Sequence, residues 1–525
     1  MPLAMLERRG FTAGIKPAYA PHEIPKNALW QARNVDADEV GVLSVRPGAE
    51  AVADSLGAGG IYGLTAAFGT LVCVWNRSLY KLVSGAWVAI RTNFLPANTW
   101  VNMVKWEYDD QEVLYIHAGQ GLWRATAYGC VMVDPTEPGE GLGNVLLAEG
   151  GGQNPDSEVF MAEIGLLRPG YSSRMAVAYG NAVYLSDPDD PRCWPNDQWL
   201  TLPDDGGTIT GLALRYNALI IFRDTDIWAV FGSDWSNAEN PPIVVLQDSS
   251  VGCVAPRSIV SVPGLGVLFL GPDNVYALRG VAGVEDQVQA VPVGDDIKPH
   301  LAAAMAHGAA GACAVYHDRQ YHLSFPSALD SERIFRLRAA PQGWYCDSGP
   351  KTAGYAVRDG KLYSADPEYG LVYERTGYTD NGARIPWMIA FPHETLSAGP
   401  ARIKRLFLYL NATDTMQHID ATVISDGGGM EAIEFAVAGA AGPQWKLGDD
   451  SDEGAPLDTS SFGPTSEIKV YEAKVSGLKG QFAQVQVNGN KVGEDLRIIG
   501  YALQFRPKAR AKGIRTGVTR YDDTA

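Results

Sequence analysis

The stretch DNVYALRG, residues 273–280, is a polar turn followed by an aliphatic residue, an aromatic and a leucine, and it comes directly after the apolar run VLFL (267–270). The same phrase recurs along the chain. It is written as LVCVWNRSLYKL (71–82), EVLYIHAGQGLWRA (112–125), MAVAYGNAVYLS (175–186), ALIIFRDTDIWAV (218–230), GVLFLGPDNVYAL (266–278), GACAVYHDRQYHLS (311–324) and GYAVRDGKLYSA (354–365). Marked by their aromatics, the copies stand at Tyr80, Trp123, Tyr184, Trp228, Tyr276, Tyr321 and Tyr363, at intervals of 43, 61, 44, 48, 45 and 42 residues. Repeats of roughly 40 to 50 residues belong to β-propeller blades. The one stretched interval predicts an inserted loop, and residues 134–170 between the second and third copies are rich in Gly, Pro, Asn and acidic residues. Loops of that length in a compact domain usually carry function or are disordered.

The local chemistry predicts hairpins. Short runs of Val, Ile, Leu and aromatics end at Gly, Asn or Asp, and an alternating strand then resumes. Gly180-Asn181 and Asp359-Gly360 are pairs suited to the positive φ angles of two-residue hairpin turns. LIIF (219–222) and VLFL (267–270) are apolar on both faces, as strands packed between two neighbours must be. The best helical signal is IKPHLAAAMAHGAAGA (297–312), lying between two copies.

The expected fold class is therefore all-β: a propeller of about seven blades plus a C-terminal β-sandwich or barrel-like domain. The predicted boundaries are an N-terminal segment at 1–60, which completes the propeller or contacts a partner, the propeller at 61–378, the second β domain at 379–505 and a basic tail at 506–525. Several alternating runs support the second domain, among them ARIKRLFLYLNAT (401–413) and SEIKVYEAKVSG (466–477).

Composition sets limits. A chain of 525 residues exceeds one core. Its 46% apolar and 20% charged residues are ordinary for a folded protein, and 58 glycines suit dense turns. No apolar stretch reaches the roughly 18 residues of a membrane span, and the start, MPLAMLERRGFTAG, lacks a signal-peptide core and reads as unprocessed. The six cysteines, 73, 130, 193, 253, 313 and 346, form no CxxC pair and read as reduced thiols. A formal net charge of −17 disfavours adhesion to nucleic acid, yet suits a surface past which nucleic acid slides; the plainer reading is solubility. The sign reverses in RPKARAKGIRTGVTR (506–520), where Arg506, Lys508, Arg510, Lys512, Arg515 and Arg520 form either a flexible tail or a docking arm.

NALWQARNVDADEVGVLSVRPG (27–48), DSSVGCVAPRSIVSVPGLGVLFLGPDNVYALRG (248–280) and ARIKRLFLYLN (401–411) together resemble the tail nozzle proteins of short-tailed bacteriophages, the tail tubular protein B family. The likeness runs in order across most of the chain and includes no catalytic signature. It implies a virion structural protein that forms a homohexameric ring beyond the portal and the head–tail adaptor. The ring retains packaged DNA and conducts the double strand during ejection, with tail fibre or needle proteins as neighbours. Assembly would take place in the host bacterial cytoplasm. From Pro135 to Leu167 there is no Lys or Arg, against Glu137, Glu140, Glu149, Asp156, Glu158 and Glu163. If this insertion projects into the channel it constricts the bore or repels DNA; otherwise it is a surface loop.

Candidate chemistry is thin. GEGLGN (139–144) lacks the strand-to-helix context of a phosphate loop. His317 and His322 flank one hairpin turn and would need a third metal ligand. Asp187, Asp189 and Asp190 suit calcium or glycoside hydrolysis in principle, but their prolines favour a rigid acidic turn. Trp194, Trp199, Trp235 and Trp344 near turns either anchor partners or sugars, or seat beneath loops. No enzyme activity, metal or cofactor is expected. The rival reading is a carbohydrate-binding or carbohydrate-cleaving propeller at a phage tail tip.

Overall fold

The computed structural model describes residues 2–508 apart from 109–110, 118–121, 134–159, 165–173, 196, 204–206, 216–217, 233, 238, 240, 281–286, 329–331, 412–416, 438–467, 494 and 496. The chain divides into two compact units, Pro47–Arg384 and a second made of Met1–Arg46 with Ile385–Ala525. The expected N-terminal segment 1–60 is thus shared between the two, and the second domain opens at Ile385 rather than 379.

The first unit is a seven-bladed β-propeller. Its blades span 61–91, 102–132, 160–201, 209–248, 260–292, 313–347 and 354–374, each of four antiparallel strands once Glu50–Ala51 is added to the last. Second strands are buried on both faces, as in Ala218–Arg223, because blades stack face to face. Apolar layers fill the gaps between blades. Ala176, Val183 and Leu185 of blade 3 meet Leu219, Ile221 and Trp228 of blade 4, and Phe222 of blade 4 meets Phe269 of blade 5 at 5.0 Å between ring centres. Each fully buried Leu, Ile or Phe contributes about 1.5–3 kcal/mol. Outer strands such as Ala86–Arg91 are largely exposed.

The opening phrase occupies a hairpin in every blade, but not the same hairpin. Tyr80, Trp123, Tyr184, Trp228 and Tyr276 lie on third strands, whereas Tyr321 and Tyr363 lie on the second strands Gln320–Ser324 and Lys361–Ala365. The repeat slips by one strand at blade 6, because a polar turn between alternating strands looks the same wherever it falls in a blade. Two blades show why the aromatic follows the turn: Tyr276 Oη donates to Asp273 at 2.7 Å, and Trp228 Nε1 donates to Asp226 at 2.8 Å. Ring and turn thereby fix each other. At 318–319 and 359–360 both turn residues have positive φ, the geometry that matches strand twist.

Part of the expected insertion is a strand. Phe160–Ile164 is the first strand of blade 3 and pairs with Arg174–Tyr179, with Glu163 opposite Met175. Five residues inside a Gly-rich acidic stretch carry too little alternation to be read as such. The expected helix over 297–312 is shorter, Lys298–Met305, with Leu301 and Ala304 buried.

The ring closes by a strand from before blade 1. Glu50–Ala51 is the fourth strand of blade 7, pairing Ala51 with Tyr373 and Glu50 with Glu374. The two facing carboxylates are separately satisfied, Glu50 by the Thr379 hydroxyl and Glu374 by Lys361 at 2.8 Å. Ile61, Leu64, Leu71 and Cys73 then pack on Ala356, Tyr363, Ala365 and Val372, so blade 7 covers blade 1.

The second unit is a two-sheet β-sandwich. One sheet runs Val35–Ala37, Leu43–Val45, Arg497–Pro507, Ala401–Asn411, Ile468–Lys474, with Ala4–Arg9 also on Arg497–Pro507 and Lys479–Gly480 on Ala401–Asn411. The other contains Trp387–Ala390, Phe482–Gly489, Gln417–Ser425 and Met430–Val437. Phe391 bridges Phe11 at 5.0 Å and Tyr501 at 4.5 Å.

The seam yields a paired prediction. At Gly48 an added Cβ would lie 2.0 Å from the Thr379 carbonyl oxygen, while at Gly129 it would meet nothing within 4 Å. Gly48→Ala is expected to lower stability by about 1–3 kcal/mol and Gly129→Ala to leave it within about 0.5 kcal/mol, as read by denaturant unfolding of the full chain.

Candidate functional site

First strands of neighbouring blades lie against one another around the propeller, from Ile61–Ala67 to Gly354–Arg358 and back, with the turn Pro256–Ser258 leading into that of blade 5. They surround the axis. Residues just before these strands therefore gather at one axial end, and they are bonded across it. Arg257, before blade 5, donates from Nη1 to Ala353 O at 2.6 Å and from Nη2 to Gly311 O at 3.1 Å, before blades 7 and 6. Its guanidinium stands 4.4 Å from the ring centre of Trp100, before blade 2. Trp100 in turn covers Gly354, where an added Cβ would come within 1.9 Å of the indole. Blades 2 and 5 are not neighbours, so this contact crosses the axis and closes that end.

At the opposite end His317 Nε2 donates to Gly360 O at 2.8 Å, tying blade 6 to blade 7. That bond occupies one of its two ring nitrogens. The ring of His322 lies 6.4 Å from that of His317, and among the described residues no group of three or more His, Cys, Asp or Glu stands close enough to hold a metal ion. An open cleft of about 450 Å³ is lined by Phe68, Thr70, Lys81, Ser84 and Arg358 among others, with no carboxylate or imidazole. Lys81 is spent on Ala127 O at 2.6 Å and Arg358 on Asp359 at 3.1 Å.

The acidic turn of blade 3 is knit from within. Arg192 Nε and Nη2 both reach Asp190 at 2.9 Å, and the Arg192 bonds hold that carboxyl below its usual range. Asp187 is shifted up by burial, against the pull of Arg174, whose Nη1 donates to Ser186 O at 2.8 Å. Asp190, gripped by Arg192, stays ionised and is unsuited to general-acid work. Three of the four loop tryptophans are core: Trp194, Trp235 and Trp344 are buried and donate to Pro191 O, Gly232 O and Val293 O. Trp199 is half-buried against Tyr184.

All six cysteines are free thiols, and only Cys193 is not fully buried. Burial pushes Cys130 up to about 11 and Cys253 and Cys313 up to about 12, so these sulfurs stay protonated and unreactive.

Of the acidic candidates, Glu137, Glu140, Glu149, Asp156 and Glu158 lie outside the described residues, and Glu163 stands in a blade strand. In the basic tail, Arg506 belongs to the last sandwich strand and Lys508 follows it, its N–H donating to Pro400 O at 3.0 Å, while Arg510, Lys512, Arg515 and Arg520 lie outside the described residues. The sequence reading missed what strand pairing does to Arg506: it sits directly across from Arg402, which sits directly across from Lys479. It also missed how unevenly charge is divided. Pro47–Arg384 carries 22 Lys and Arg against 38 Asp and Glu, and the remainder 21 against 22. Among the described residues no helix is long and apolar enough to cross a membrane.

No family model matches this sequence and no curated protein matches it. Solved structures similar to it include an extracellular domain from B. thetaiotaomicron, at 8% identity and a TM-score of 0.41, covering 79% of this chain, which spans 58% of that one. The WD40 domain of Pan2 from Neurospora crassa is similar over 60% of this chain and 89% of its own, at 10% identity and a TM-score of 0.29. An exo-beta-1,3-galactanase from Phanerochaete chrysosporium is similar over 95% of this chain and 100% of its own, at 10% identity and a TM-score of 0.25. Likenesses of this size carry nothing about activity.

Two measurements check the axial contact and the burial of histidine. Arg257→Ala is expected to cost about 2–3 kcal/mol in thermal or denaturant unfolding, and Arg257→Lys, lacking the planar fork, to recover little of it. Burial lowers His117 from its ordinary 6.5 to about 4. The unfolded chain therefore takes up a proton near pH 6.5 that the folded chain refuses until about pH 4. The resulting stability is fully present above about pH 6.5 and is lost as pH falls towards 4, by about 3 kcal/mol. Stability measured across that window should slope in the native protein, and the His117→Leu variant should lose this component of the slope.

Proposed function

We propose that this protein is a virion structural protein, a ring-forming tail nozzle that extends the portal–adaptor channel, retains packaged DNA and conducts it during ejection. The observation that carries the reading is the acidic excess of the propeller unit, 38 carboxylates against 22 cations. A conduit for a polyanion works best with walls that do not grip phosphate, because each phosphate neutralised by Lys or Arg holds the strand and releases counterions. The order of the stretches at 27–48, 248–280 and 401–411 supports the same reading.

The closed propeller axis adds a constraint. Because Trp100 and Arg257 block it, the DNA path of a nozzle built from this chain runs between copies, along the symmetry axis of the ring. The protein's partners are then other copies of itself, the adaptor and through it the portal, fibre or needle proteins at the far end, and double-stranded DNA in transit. Its place is the tail of the virion.

Negative-stain imaging tests this with the purified chain, alone and mixed with the matching portal and adaptor. Six-fold rings, or new density on the distal end of the adaptor, are expected. Monomers that ignore the adaptor and instead bind or cut host polysaccharide would overturn the nozzle in favour of a carbohydrate-directed tail-tip propeller.

A further inference from the structure

The outer face of the first sandwich sheet concentrates positive charge. Arg402 on Ala401–Asn411 stands opposite Arg506 on one side and Lys479 on the other, so three cations form a row across adjacent strands. A register shift between Ile403 and Arg405 brings Lys404 towards the same place, and Lys474 is directly across from Arg405. Arg402, Lys474, Lys479 and Arg506 are exposed, while Ala401, Ile403 and Leu406 on the other face are fully buried. Lys404 is shifted down chiefly by Arg402, then by loss of solvent, then by Arg506 and Lys474.

The carboxylates nearby are engaged elsewhere. Glu472 pairs with Arg405 and Glu7 with Arg9, both at 2.5 Å. Glu431 accepts from the Ser476 N–H at 2.8 Å, and Asp426 accepts from the Phe482 N–H at 3.1 Å. Among the described residues five cations, Arg402, Lys404, Lys474, Lys479 and Arg506, face outward together and none of them stands in an ion pair. Like charges directly opposite each other on a sheet are destabilising. An isolated domain gains nothing from the arrangement, but an interface does.

We propose that this cationic face docks on the acidic propeller of a second copy of the same chain. Charge complementarity selects that occupant: one unit of the chain carries nearly all of its net negative charge, and the other carries this row of unbalanced cations. The two surfaces differ, so the contact is heterologous, the kind that closes rings or runs on as filaments. Opposed fields of this sort set the on-rate and the register more than the raw affinity. The inference deepens the ring-forming reading and rests on it for the identity of the partner.

The test uses full-length chain. Self-association, followed by analytical ultracentrifugation, should weaken about tenfold or more between roughly 0.1 M and 1 M salt, as the screening length shrinks from about 10 Å to about 3 Å. The triple variant R402Q/K474Q/R506Q, which removes repulsion and should keep its thermal stability, should lose association at low salt by a similar factor. R402E/K474E/R506E should lose it further. Because each copy uses the face once, the reversed variant still offers its propeller, and adding it to native protein should terminate assemblies as short oligomers.

A triple variant that assembles like the native chain overturns the docking, as does native protein that stays monomeric at every concentration. Salt-sensitive binding of a fluorescent DNA duplex that vanishes in the variant, with self-association unchanged, overturns it in favour of nucleic acid. The two proposals fail separately. Six-fold rings on the adaptor built equally well by the variant sink the docking alone, whereas salt-sensitive assemblies that never engage the adaptor sink the nozzle and leave the docking standing.

Discussion

A circular stack of blades is stable only if its last member covers its first. Every other blade interface here is made between segments adjacent in sequence, but the layer joining Tyr363, Ala365 and Val372 to Ile61, Leu64 and Leu71 has to close across some three hundred residues. Glu50–Ala51 makes that closure cooperative by belonging to blade 7 in space and to blade 1 in sequence. The Gly48 N–H donates to Gly377 O at 2.8 Å, so the chain enters and leaves the propeller at one seam. That arrangement lets the two flanking segments combine into a single sandwich, and the strands of Met1–Arg46 would have no sheet to join without it.

Closure also disposes of the axis. Seven inner strands leave a central space, and in this chain one end of it is filled by a tryptophan and an arginine whose hydrogen bonds end on backbone carbonyls of two further blades. The plug works as a strut, since Arg257 before one inner strand is hydrogen-bonded to the backbone just before two others.

The period of the fold was legible because each blade contains one apolar run, one polar turn and one aromatic. Its phase was not, since Tyr321 and Tyr363 announce an inner hairpin in the same words that Tyr276 uses for a middle one. Short strands left no trace: Val35–Ala37 and Leu43–Val45 have three residues each, too few to show alternation, so their place in the sandwich was invisible. Trp100 and Arg257 lie in separate loops with no local pattern linking them. Arg506 was conspicuous within a basic run, but Arg402 and Lys479 become its neighbours only through pairing, and no linear reading juxtaposes residues so far apart. Trp194, Trp235 and Trp344 looked available as anchors because loops are read as exposed; their indole N–H groups found carbonyls close by and the rings sank into the core.

The sandwich built from both ends of the chain has a consequence in time. Ala4–Arg9 leaves the ribosome some five hundred residues before Arg497–Pro507, the strand it pairs with. At about 5–20 residues per second, the first strand waits on the order of half a minute to two minutes for the strand it pairs with. Throughout that interval the propeller can complete itself while Met5 and Leu6 remain without a sheet. Nascent chains on neighbouring ribosomes present the same unpaired edge, so the early segment is where chaperone engagement, or mispairing between newborn copies, would concentrate.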